Sequence, residues 1–257
     1  MNYYRFISKS IIALLSCIIG LTSCGNDNKI PTNEIHYTTI VNSVLPIKNL
    51  FYFGEGRIIS NSYNPDKNVC ILKLDKDVTE IGKEPFKDCE SLTSITIPES
   101  VTKIGEGAFS RCSNLTFITL PESLTEIGEK VFCNCRLKSI SIPPSVTKIG
   151  NEAFFGCSNL TSITIPPSVT EIGNLAFFGC SGLTSISIPT SVTKIGWGAF
   201  RDCSSLMSIT IPPSVTEIGG GAFSGCSSLT SISIPKGCQV ANNAFDGCPK
   251  NLVITRY

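Results

Sequence analysis

The pair Ile-Gly returns at Ile81-Gly82, Ile104-Gly105, Ile127-Gly128, Ile149-Gly150, Ile172-Gly173, Ile195-Gly196 and Ile218-Gly219, a beat of 23 residues that shortens once to 22. A fixed period of this length leaves few choices, because one such unit cannot bury its apolar face alone and must stack on near-identical neighbours. Cysteine keeps the same beat at Cys89, Cys112, Cys135, Cys157, Cys180, Cys203, Cys226 and Cys248, and an apolar-Pro pair recurs from Ile97-Pro98 to Ile234-Pro235. The chain is expected to wind into a rod of coils.

One unit reads Ser-Leu-Thr-Ser-Ile-Thr-Ile-Pro-x-Ser-Val-Thr-x-Ile-Gly-x-x-Ala-Phe-x-x-Cys-Ser. From Leu160 to Ile165 the alternation turns Ile163 and Ile165 inward and Ser162 and Thr164 outward, as a half-buried strand requires. Pro166 ends the strand, since proline has no N–H for the next ladder bond. Val169 and Ile172 begin a second inward segment, Gly173 is expected to permit a turn, and Ala176, Phe177 and Cys180 fill the remaining interior. No helix of useful length fits. The Leu-x-x-Ile-x-Ile core carries the strand signature of a leucine-rich repeat. It predicts a mainly β, right-handed solenoid of 22–23-residue coils with a parallel sheet along one side, about eight coils and roughly 40 Å long. The short coil around Arg136 and Leu137 is expected to tighten one turn without breaking the stack.

Ahead of the repeats, Arg5 and Lys9, the apolar run from Ile11 to Gly20 and the closing Leu21-Thr22-Ser23-Cys24 read as a lipoprotein signal. The run is too short to cross a bilayer as a stable helix, so cleavage before Cys24 is expected, leaving that residue as a lipidated N-terminus. The predicted organisation is a signal over 1–23, a flexible polar tether over 24–35, an N-terminal cap over 36–78 and the solenoid with its C-terminal cap over 79–257. The tether would hold the body roughly 15 to 20 Å from the membrane. Loss of Arg5 and Lys9 leaves 19 Lys+Arg against 20 Asp+Glu, a balance without the basic footprint of a nucleic-acid binder.

The repeats from residue 69 to 257 resemble the BspA-like, treponemal-type leucine-rich-repeat family of bacterial surface proteins. The segment from His36 to Ile81, with Tyr37-Thr38-Thr39, Phe53-Gly54 and Ile58-Ile59-Ser60-Asn61, is similar to that family's N-terminal cap. The resemblance implies a cell-surface protein concerned with adhesion, including binding of host matrix proteins, with no catalytic position in the repeats.

Equivalent slots of a solenoid form columns. The slot before Ile-Gly holds Glu80, Lys103, Glu126, Lys148, Glu171, Lys194 and Glu217, so every step between coils joins opposite signs. Exposed pairs contribute about 0 to 1 kcal/mol each, and a one-coil slip would oppose like charges, so the column reads as a register device; the Ser/Thr alternation at Thr164, Ser187, Thr210 and Ser233 keeps the same two-coil superperiod, which duplication of a pair of coils would also leave. The in-register cysteines would stack with Cβ atoms about 4.8 Å apart, longer than a disulfide prefers, and are expected to be buried free thiols acting as small hydrophobes. Cys70, Cys133 and Cys238 stand outside that column and are the candidates for reactivity or pairing.

The single histidine, His36, has no nucleophile or paired carboxylate assembled around it, and the outward strand slots are serine and threonine without an activating base. No phosphate loop, metal motif or nucleotide fingerprint occurs, so no enzyme and no cofactor is expected. Specificity in a repeat protein sits where the repeat is broken. Phe117 replaces a serine on the strand face; Phe155, Phe178 and Arg201 share one column after Cys133; Leu175 and Trp197 occupy slots that elsewhere hold Glu, Gly, Lys or Asn. These six are the candidate ligand patch, of a composition favoured at interface centres. The expected function is a membrane-anchored recognition protein, lipid-anchored in the cell envelope at the outer membrane and cell surface. It would bind a host-matrix or bacterial surface protein. A glycan-capturing lipoprotein of a nutrient-uptake system and a structural envelope protein are the alternatives.

Overall fold

The computed structural model describes residues 29–45, 47 and 53–257; the expected signal segment and Cys24 lie outside them. Among the described residues there is no helix, and none long and apolar enough to cross a membrane. The chain opens with an antiparallel cap of β1 (Glu34–Thr39), β2 (Ile58–Asn64) and β3 (Val69–Leu74). β1 pairs antiparallel with β5 (Leu92–Thr96), which continues in parallel to β7 (Phe117–Thr119), giving one sheet of order β2-β3-β1-β5-β7. The cap thus covers the first coil by extending its own strand ladder.

The expected tether ends earlier than 35. Asn33 accepts from the Leu74 N–H at 2.9 Å, Thr32 accepts from the Val78 N–H at 2.8 Å, and Ile35 is fully buried in β1. These residues are docked on the cap, because an apolar strand residue beside a free ladder edge gains both burial and backbone bonds.

The longest ladder does not run through the Leu-x-x-Ile-x-Ile strands. It is built of two-residue strands from the charge column: β4 (Glu80–Ile81), β6 (Lys103–Ile104), β8 (Glu126–Ile127), β10 (Lys148–Ile149), β12 (Glu171–Ile172), β13 (Lys194–Ile195), β15 (Glu217–Ile218) and β17 (Gln239–Val240). They form one parallel eight-stranded sheet in coil order. On the strand face, β9 (Ser139–Ser141) pairs only with β11 (Ser162–Thr164), and β14 (Ser208–Thr210), β16 (Ser231–Ile234) and β18 (Val253–Arg256) form a separate group. The first gap, between β7 and β9, follows the cap and coincides with the 22-residue coil. The stack itself survives there, since Glu126 and Lys148 stay in register and the Phe132 and Phe154 rings stack at 5.4 Å. The missing residue is absorbed as a 23° tilt between those rings, against 1° between Phe154 and Phe177.

The core is a bundle of columns. Phe86, Phe109, Phe132, Phe154, Phe177, Phe200 and Phe223 are fully buried and stack face to face, with centroids 5.3–5.8 Å apart. Phe53 of the cap closes the column at a 57° tilt to Phe86, and Phe245 ends it. The described cysteines are free, including Cys70, Cys133 and Cys238. The columnar thiols do more than fill space. From Cys112 to Cys248 each S–H donates at 2.9–3.2 Å to the carbonyl of the phenylalanine one coil back. Phe109 O, for example, accepts both the Cys112 N–H and the Cys135 thiol. A slim donor is needed at this buried spot, where valine would leave the second lone pair empty.

The conserved-looking Ile-Gly pair also has a different cause from the turn expected at Gly173. A Cβ at Gly173 would stand 2.7 Å from the Asn151 nitrogen and from the Gly150 carbonyl carbon. Glycine is there because successive coil backbones touch. The left-handed residues lie two and six positions later, at Leu175 (φ +55°) and Gly179 (φ +68°).

Candidate ligand-binding surface

Each coil presents a tight double turn between its Gly and its Cys, and the departures from the repeat cluster there. Phe155 and Phe178 occupy the same slot of adjacent coils, tied together by the Gly156 N–H donating to Phe178 O at 2.7 Å. Their rings stack at 4.6 Å with planes 6° apart, closer than any pair in the buried column. Arg201 follows in the next coil, tied by the Gly179 N–H to Arg201 O at 2.8 Å, and its guanidinium carbon lies 5.8 Å from the Phe178 centroid. Both phenylalanines are half-buried, so the stack shows an edge to solvent. Arg201 Nε is buried without a hydrogen-bond partner, the Asp202 carboxylate at 3.7 Å being an ionic neighbour only, while the side chain as a whole is 43% exposed. Any donors offered to a ligand are therefore those of its terminal nitrogens.

Leu175 joins this group. Its Cδ2 reaches over Gly198, where a Cβ would stand at 2.7 Å, and the same Cβ would be 3.8 Å from Arg201 Cβ. The left-handed backbone at Leu175 belongs to the repeat, since the same slot is left-handed at Glu84, Lys130 and Glu152 and at Gly107, Gly198 and Gly221; what is particular to this coil is the apolar side chain.

Trp197 is placed differently from the rest. Its N–H donates to Asn174 Oδ1 at 2.8 Å, and its indole lies against Gly220 of the following coil, where a Cβ would be 3.2 Å from Cδ1. No ring contact joins it to Phe178 among the described residues. Phe117 is on another face altogether, 59% exposed on β7, at the gap before β9, where a cleft of about 530 Å³ is lined by Phe117, Thr119, Glu122, Ser139, Ser141 and Pro143. The six candidates thus divide into a cluster of Phe155, Leu175, Phe178 and Arg201, with Trp197 and Phe117 apart. Met207, 56% exposed in a threonine slot of the strand face, escaped the sequence reading although its slot is irregular.

The remaining chemistry is quiet. His36 Nε2 lies 2.9 Å from Glu34, whose carboxyl is held below its ordinary range chiefly by that contact. Burial pushes the Cys70, Cys133 and Cys238 thiols up, which works against reactivity. Among the described residues no group of His, Cys, Asp and Glu could hold a metal ion.

A sequence profile for the BspA type leucine rich repeat region matches residues 54–158 and 125–252, in 6 copies. Solved structures similar to this chain include a leucine-rich repeat protein from Bacteroides ovatus, at 32% identity over 68% of this chain and 58% of that one, with a TM-score of 0.49. A leucine rich cell surface protein from Faecalibacterium prausnitzii matches at 32% identity over 70% and 64%, with a TM-score of 0.42. The leucine rich repeat protein of T. pallidum matches at 27% identity over 80% and 92%, with a TM-score of 0.47. The chain spans less than two thirds of the length of the first two. No curated protein matches it. The profile covers most of the chain and its period is the one that the columns display, so this protein belongs to the BspA-type leucine-rich repeat family.

Proposed function

We infer that this is a lipid-anchored recognition protein of the bacterial cell surface, which holds a protein ligand on the turn edge formed by Phe155, Leu175, Phe178 and Arg201. The observation that carries the reading is the 4.6 Å Phe155–Phe178 stack continued by Arg201. Every other coil places a small, polar or charged side chain in this slot, among them Lys87, Ser110, Cys133, Ser224 and Asp246. Aromatic rings beside an arginine with unspent donors are the composition of interface centres. The similarity to a leucine rich cell surface protein of F. prausnitzii supports the surface placement.

Two measurements test this. Protease treatment of intact cells is expected to remove the solenoid, and full protection until lysis would overturn the surface placement. Binding to immobilised matrix proteins and to proteins of the cell's own envelope is expected to weaken at least about tenfold in the Phe155→Ala/Phe178→Ala double variant at unchanged melting temperature. Equal binding by both forms would remove the patch from the account.

A further inference from the structure

On the side of the eight-stranded ladder the coils leave a polar cleft of about 390 Å³ between the short coil and the two that follow. Gly150 and Gly173 give it a floor without side chains, and Glu126, Glu129, Lys148, Asn151, Glu171 and Asn174 form its walls. Glu129 accepts from Lys130 Nζ at 2.8 Å, and the other wall side chains keep hydrogen-bonding capacity. Lys148 sits between Glu126 and Glu171 in register, yet among the described ladder lysines only Lys194 closes on a ladder neighbour, Glu217 at 3.1 Å. Asn151 Oδ1 accepts the Asn174 N–H at 2.9 Å, and Asn174 Oδ1 accepts the Trp197 N–H at 2.8 Å. Because the oxygens are fixed by backbone donors, each amide nitrogen is turned away from the backbone as an open donor.

The asparagine column ends on an aromatic platform. Trp197 takes the next slot after Asn151 and Asn174, lies against Gly220, and remains 48% exposed. Gly220 makes room for the ring, since a Cβ there would stand 3.2 Å from Cδ1. Beyond it a shallower recess of about 270 Å³ continues the same side, bordered by Glu217 and Gln239. The side therefore offers a flat exposed ring between two depressions edged with carboxylates and primary amides.

We propose that this cleft and Trp197 together form a second binding site, separate from the phenylalanine stack, whose ligand is a neutral oligosaccharide lying along the solenoid. A pyranose presents C–H groups on one face and hydroxyls around its rim. The first pack on an aromatic ring; the second are matched by planar carboxylates and amides, which accept and donate in pairs. The cleft has no apolar wall to serve as the desolvated anchor of a protein interface, and no metal-holding group lies there among the described residues. With Glu129 paired to Lys130, Glu126 and Glu171 still outnumber Lys148, which disfavours sulfated, sialylated and uronic-acid glycans and phosphates.

Trp197 is the only tryptophan of the chain, so its fluorescence reports this site alone. The experiment titrates the intact protein with neutral hexasaccharides of glucose, xylose, mannose and N-acetylglucosamine, and with heparin hexasaccharide as the anionic control, alongside a glycan array. A saturable change in emission with at least one neutral oligosaccharide is expected. Calorimetry with that sugar should show affinity lowered about tenfold or more in Trp197→Ala and Asn174→Ala, kept in Trp197→Phe, and unchanged in Phe178→Ala. Circular dichroism of each variant controls for folding. Silence on the array and in the titration, preference for the anionic sugar, or full affinity in Trp197→Ala would each overturn the proposal. None of these outcomes bears on the phenylalanine stack, whose own test uses protein ligands.

Discussion

Cysteine in this molecule is a hydrogen-bonding residue whose proton matters. Burial pushes the Cys157 and Cys226 thiols up to about 12 and the Cys89 thiol up to about 11, while an unfolded chain holds them near their ordinary value. Thiols raised in the folded state stabilise it fully below the unfolded value, and that contribution is lost as pH climbs through the folded one. Thermal melts are therefore expected to be level from pH 6 to 8 and to fall steadily above about pH 9. Replacing Cys157 with alanine should blunt the alkaline fall, and also lower stability at neutral pH by about 1 to 2 kcal/mol through the lost contacts and the emptied second lone pair of the Phe132 carbonyl, which keeps only the Cys135 N–H. Denaturant titration at both pH values checks the pair of effects. Glycine gives a second test. In Gly150→Ala the new Cβ would meet the Gly128 carbonyl at 2.7 Å, a clash expected to cost about 1–3 kcal/mol, whereas Gly237→Ala has nothing within 4 Å and should be neutral or slightly stabilising. Leu175→Gly relieves the left-handed backbone, so its melting temperature should hold or rise while affinity for a protein ligand on the Phe178 edge falls.

At the level of strands, the charge column occupies the most continuous ladder in the molecule, and this gives its alternation a place to act. Lys194→Glu would set Glu171, the new glutamate and Glu217 in a row and break the 3.1 Å pair with Glu217. With both side chains about half exposed, the expected loss is under about 1 kcal/mol at low salt and shrinks as ionic strength rises. Denaturation midpoints at two salt concentrations decide it. The alternation of Glu and Lys and the inward Ile, Phe and Cys columns were legible in the sequence, because side-chain chemistry at a fixed period reports which slots face inward. Which face carried the unbroken ladder was not, since Glu171-Ile172 is too short to read as a strand and its pairing follows from how coils nest at their glycines. The same limit hid the cleft: Asn151 and Asn174 look like surface residues until the backbone donors that fix their amides are placed. Phe155 and Phe178 were legible as a column, but the separation of Trp197 from them depends on its resting against Gly220.

Along the whole rod the two ends differ. Antiparallel strands and Phe53 close the first coil, while at the other end β18 is exposed throughout, with Val253 at 58% and Ile254 at 45%. In a stack where each coil is held only by its neighbours, opening starts from the less covered end. Hydrogen exchange should therefore be fastest over Val253–Arg256 and slowest in the coils of Phe109 to Phe177; equal protection along the rod would contradict this. Between the ends, one face is stitched by eight rungs in series and the strand face is parted between β7 and β9 and again before β14. Such a rod has unequal stiffness around its circumference. A sideways load that tries to stretch the stitched face meets backbone bonds at every coil. A load in the opposite sense can widen the two seams first, so the molecule bends like a spine with its ligament on one side, and Phe117 sits in the seam that such bending would open.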